Sequence, residues 1–154
     1  MDETQIRKFV ESSKVTVYST LDGEGRIVAR PMTVQEVTDD WTILFVTQRS
    51  EDVAVQSSGK AVNLAFLDGM DLVSITGTGE IVDDVAKKRE LWDAANEAFT
   101  EGGAENPENV ILSVHAESAR YWDSPAAPVA VVGTLKAAVT GDRPDLGDSG
   151  TVGL

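Results

Sequence analysis

Ala29-Arg30-Pro31-Met32, then Trp41-Thr42-Ile43-Leu44-Phe45-Val46-Thr47 and Gln48-Arg49-Ser50-Glu51-Asp52, is the stretch on which the reading of this chain turns. Its middle segment carries apolar or β-branched groups on both faces, with Trp41, Ile43 and Phe45 on one and Thr42, Leu44 and Val46 on the other. That is the pattern of a strand covered on both sides. One face suits a barrel core, and the other needs a partner surface, which the second subunit of a homodimer is expected to supply. The preceding segment sets a proline inside a strand, where the missing N–H confines it to an edge, a bulge or a ligand-facing break. An arginine beside such a break, with a hydroxyl-bearing turn closing the next strand, lets a small β-barrel hold a phosphate against an apolar ring system.

Outward from this stretch, the pattern stays rich in strands. Toward the N-terminus, Val15 to Leu21 and Ile27 to Val37 read as two strands of a hairpin, joined by Asp22-Gly23-Glu24-Gly25, whose glycines supply positive φ. Thr4 to Ser12 reads as a short helix capped by Thr4, with Ile6, Phe9 and Val10 on one face. Toward the C-terminus, Ser50 is expected to cap a helix from Glu51 to Ser57, which Ser58-Gly59 ends. Ala61 to Leu67 and Leu72 to Val82 follow as strands around an Asp68-Gly69-Met70-Asp71 turn. The longest helix is expected from Asp83-Asp84 to Phe99, burying Val85, Leu91, Trp92, Ala95 and Phe99. Thr100 to Asn109 reads as a loop, and Val110 to Val114 and Ala119 to Trp122 as two strands. An apolar helix is expected from Pro128 to about Thr140. Residues 142–154 form a tail, with Thr151-Val152 on a last edge strand. Gly77 and Gly79 lie in or at the end of a strand, so they read as points of close backbone approach and not as a dinucleotide loop. Short antiparallel strands with three or four helices make the chain mainly β, a barrel with peripheral helices.

Size and composition narrow the function. The 154 residues fit one domain, residues 1–154. With no cysteine, disulfides, iron–sulfur clusters and thiolate zinc sites are excluded. His115 is the only histidine, which leaves a protease triad little to build on and a multi-histidine metal site impossible. It reads as a surface residue, and no metal is expected. Thirteen basic against 26 acidic side chains give a net charge of -13, which disfavours nucleic acid and anionic membrane. No apolar run approaches the roughly 18 residues of a membrane span. A soluble, cytoplasmic protein is expected.

Arg30-Pro31-Met32, the strand ending Phe45-Val46-Thr47, Ser50, Leu91-Trp92 and Tyr121-Trp122-Asp123, in that order and spacing, resemble the pyridoxamine 5'-phosphate oxidase-like split-barrel flavoproteins. The resemblance is specifically to the general stress protein 26 branch. The tail from Lys136 to Gly147 is similar to that branch's ending.

The resemblance implies a homodimer of Greek-key split β-barrels with FMN sites in clefts at the subunit interface. Arg30 would face the phosphate, and the main chain around Pro31 and Met32 would pass the isoalloxazine edge. Phe45, Val46 and Thr47 would line the ring and ribityl chain, and Ser50 would offer its hydroxyl and amide to the phosphate. Trp122 would come from the C-terminal part, across the interface. Related proteins carry a cation two positions after the equivalent of Ser50, whereas this chain has Asp52, preceded by Glu51. Arg49 and Lys60 are the nearby cations that could offset them. Three functions follow: an FMN-dependent oxidoreductase, a non-catalytic dimeric stress or binding protein with weak or no flavin binding, and a relative that takes a deazaflavin in place of FMN.

Overall fold

Asp2, and not Thr4, caps the first helix, α1 (Glu3–Ser12): its carboxylate accepts from the Gln5 amide while the Gln5 side chain returns to the Asp2 N–H. This reciprocal box satisfies two backbone donors that a helix start leaves open. Ile6 and Val10 are buried beneath it. The structure is a computed structural model, and it describes residues 1–125, 135, 136, 138–141 and 147–154.

The strands among these residues are β1 (Val15–Leu21), β2 (Ile27–Thr33), β3 (Glu36–Val37), β4 (Thr42–Gln48), β5 (Ala61–Asp68), β6 (Asp71–Val82), β7 (Asn109–Asp123) and β8 (Asp148–Gly153). They pair antiparallel in the order β2-β1-β5-β6-β7-β4-β3, and β8 also pairs with β7. Strands β5, β6 and β7 form a meander and β4 lies beside β7, which is a Greek key. The sheet curls into a split β-barrel, and the fold is mainly β.

Several expected elements differ. The strand drawn from Ile27 to Val37 is two strands, and β2 lies at an end of the sheet, where Pro31 costs no interior ladder bond. In the β1–β2 turn only Gly25 has a positive φ, of 76°, while Asp22 accepts from the Glu24 and Arg26 amides. The two expected C-terminal strands are one, β7, because Ala116 and Ala119 keep the inward face apolar across the polar stretch between them. Its register against β6 shifts between Thr76 and Gly77. A Cβ on Gly77 would lie 2.4 Å from the His115 carbonyl oxygen, and one on Gly79 would lie 2.6 Å from that of Ser57. Both glycines are thus places where backbone meets backbone. The helix expected from Pro128 lies mostly outside the described residues.

The expected helix from Asp83 to Phe99 is broken into α3 (Val85–Leu91) and α4 (Ala94–Phe99). Asp93 causes the break, since its side chain accepts from the Asn96 amide and so starts a new helix. Of the stripe expected to be buried, only Leu91 is. Leu91 packs with Ile111 on Leu44, covering the outer face of β4 from within the same chain. The main core lies on the opposite face, around Ile43, Phe45, Leu64, Phe66, Ile75 and Leu112.

Candidate functional site

Along β2 the half-buried residues are Val28, Arg30 and Met32, the alternation that a strand imposes when one face turns inward. They form one wall of a cavity of about 540 Å³, within the range of small-molecule sites. The end of β4 contributes Val46, Thr47 and Gln48, and the start of α2 (Asp52–Ser57) contributes Asp52 and Val53, with Glu51 just before it. Gln35 and the α4 face carrying Ala95, Asn96 and Phe99 close the remaining side, together with Thr100. The walls therefore come from a sheet edge, a strand end and two short helices.

Arg30 is the one cation among the described lining residues. Its guanidinium donates to Thr20 Oγ1 at 2.7 Å and to Gln56 Oε1 at 3.1 Å, with a longer contact to the Tyr18 carbonyl at 3.4 Å. Thr20 also donates to Gln56 Oε1 at 2.6 Å, so the three side chains fix one another. No carboxylate pairs with Arg30 among the described residues. In a chain with twice as many acids as bases, that leaves a positive charge and spare N–H donors facing the cavity.

Beneath Arg30, Tyr18 is fully buried and donates to Ser57 Oγ at 2.9 Å. Burial pushes its phenol up to about 12, against the opposing pull of the Ser57 hydrogen bond and the Arg30 charge. It therefore stays neutral at physiological pH. Phe45 meets Tyr18 edge-on, with ring centroids 5.3 Å apart.

The structure thus brings together Arg30, Pro31, Met32, Val46, Thr47 and Asp52 from the nine residues singled out in the sequence. Phe45 is not at the surface of the cavity, because its ring is wholly buried in the core. Ser50 is exposed and does not line the cavity; nor does it cap α2, whose cap position is Glu51 with no side-chain hydrogen bond. Trp122 is 43% exposed on β7, level with Leu72 and Ser149, away from the cavity of its own chain. The cations expected to offset Asp52 are placed elsewhere: Arg49 pairs with Asp83, and Lys60 is exposed outside the cavity. His115 is exposed on β7, and no metal-binding cluster occurs among the described residues.

Sequence reasoning missed Gln35, Asn96 and Phe99. Asn96 is buried, donates to the Leu91 carbonyl at 2.9 Å and exchanges amide hydrogen bonds with Gln35. This ties α4 to the link between β2 and β3. The Asp93-x-x-Asn96 capping pattern was a legible signal for the helix break that turns this face to the cavity.

Comparison with solved structures places this architecture among known ones. A Jannaschia sp. CCS1 protein named for general stress protein 26 aligns with a TM-score of 0.72 at 22% identity, covering 98% of this chain and 99% of that one. A Clostridium acetobutylicum protein related to general stress protein 26 of B. subtilis, of the pyridoxinephosphate oxidase family, aligns at 0.67 and 24%, covering 77% and 86%. The general stress FMN/FAD binding protein of Xanthomonas citri aligns at 0.65 and 29%, covering 80% and 91%. No curated protein matches the chain. Residues 2–145 match the family described as pyridoxamine 5'-phosphate oxidase like, and the chain belongs to that family.

Proposed function

We propose that this chain is an FMN-binding split-barrel flavoprotein, acting as an oxidoreductase. The observation that carries the reading is Arg30: a guanidinium without a carboxylate partner, held by Thr20 and Gln56 on the wall of a cavity whose other surfaces include Met32 and Val46. A phosphate suits the guanidinium, and a planar ring suits the apolar wall. The FMN/FAD-binding relative from Xanthomonas citri supports the choice of a flavin.

In this reading Arg30 holds the phosphate, while Pro31, Met32, Val46 and Thr47 line the ring and ribityl chain. Thr47 is buried and makes no side-chain hydrogen bond among the described residues, so its hydroxyl is available to the ligand. The flavin supplies the electron-transfer chemistry when bound, and the protein supplies orientation and exclusion of water. The active unit in this reading is a homodimer: Trp122 lies away from the cavity of its own chain, so the contact with the flavin that the family resemblance implies would come from a second copy.

A second reading, a binding protein with weak or no affinity for flavin phosphates, is favoured by one observation. Glu51 and Asp52 line the same cavity as Arg30. Titration with FMN and riboflavin, followed by quenching of flavin fluorescence, separates the two. Arg30→Ala is expected to weaken FMN binding by about 1.5 to 3 kcal/mol and riboflavin binding much less. Arg26→Ala is the control, since Arg26 pairs with Asp22 and Glu24 in an exposed turn. Equal FMN affinities for the two variants would remove Arg30 from the site, and mass spectrometry of any ligand released from the purified protein would distinguish FMN from a deazaflavin.

A further inference from the structure

Phe99 lines the cavity, yet 87% of its surface is open to solvent. The helix that carries it is not loose, because buried Asn96, one turn earlier, is bonded to the Leu91 carbonyl and to Gln35. Ala95 and Phe99 are one turn apart and share the cavity-facing side of α4. A large aromatic ring is thus held at the mouth of the cavity without a hydrophobic partner of its own. Met32 and Val46 line the same cavity from the sheet, so a flavin ring lying against them, as read above, would leave a slot between itself and Phe99.

The charges around this slot are unequal. Arg30 is the one cation among the described lining residues, and a bound phosphate would occupy it. Glu51 and Asp52 would then be the charged groups left facing the cavity, within a chain of net charge -13. A second anion entering the same space would meet two carboxylates and no free cation.

We infer that the molecule sharing this cavity with the flavin is a flat conjugated ring, neutral or cationic and not a phosphate or carboxylate, and that Phe99 stacks on it. This rests on the flavin reading above. Offset or edge-to-face contact with an aromatic ring is the favourable use of such a side chain. Among the uncharged polar lining residues, Thr33 and Gln48 make no side-chain hydrogen bond to the described residues and give neutral partners at the ring's edge.

The test uses the FMN-loaded protein and calorimetric binding of two probes, 1,4-naphthoquinone and 1,4-naphthoquinone-2-sulfonate, which share a ring and differ by one negative charge. The neutral probe is expected to bind at least about tenfold more tightly. Phe99→Ala should weaken it by about threefold to tenfold, with FMN affinity changed less than about twofold, and Phe99→Tyr should restore it. Equal binding of the two probes, or no effect of Phe99→Ala, overturns the proposal while leaving the flavin reading in place. A Phe99→Ala protein that loses its dimer but binds the neutral probe as before also overturns it, since Phe99 would then be a subunit contact. Failure of the unmodified chain to take up FMN overturns the flavin reading first, and this inference with it.

Discussion

Asp52 is the residue at which the cavity works against an anionic ligand. It lines the same space as Arg30, is exposed, and has no ion-pair partner among the described residues. Replacing it by lysine turns repulsion of a phosphate into attraction. Because the side chain is solvated, Asp52→Lys should raise FMN affinity by only about threefold to tenfold at low salt, and the gain should shrink as salt is added. Riboflavin, measured in parallel, should gain little. An unchanged FMN affinity in a folded protein would place the phosphate away from this end of the cavity. Arg30 stood out in the sequence because a proline followed it inside a strand. The residues that aim its guanidinium, Thr20 and Gln56, carried no such mark, since they meet it from another strand and a helix through contacts that only the folded chain creates.

At the scale of the element, β4 shows what a two-faced apolar strand can and cannot say. Its residues required cover on both sides, and that much was legible. They did not say whose surface supplies it. The sequence reading assigned the outer face to a second subunit, but Leu91 of α3 covers it, leaving Leu44 only 7% exposed. Leu44→Glu should therefore unfold the chain instead of dissociating a dimer, with a loss of about 3 to 5 kcal/mol in urea denaturation. A folded, merely monomeric variant would return that face to the interface. The same limit explains the helix from Asp83 to Phe99. Apolar spacing ran through the whole segment, so the period alone joined what Asp93 separates by capping α4. Capping by Asp2, two residues before the expected Thr4, is a second case in which side-chain hydrogen bonding, and not periodicity, sets the boundary.

For the whole molecule, the proposed dimer needs a different surface from the one first assigned to it. The outer face of the sheet carries a candidate. Leu67, Leu72 and Trp122 lie level on β5, β6 and β7, while Val17 is level with Ala65 one step along. Leu67 is 60% exposed, Trp122 43% and Val17 40%, which gives a strip of large apolar side chains across neighbouring strands. Strips of this kind mark contact surfaces. Light scattering should show a dimer at micromolar concentration, and Trp122→Glu should shift it to a folded monomer with reduced flavin affinity. A monomer in the unmodified protein would refute the assembly. A curled sheet that does not close has ends, and β2 is one of them. Pro31, besides standing at the cavity wall, deprives that end of an amide hydrogen. A strand of another chain laid against it would find one ladder donor missing, so the residue that shapes a binding pocket also blunts an open edge of the sheet against pairing between molecules.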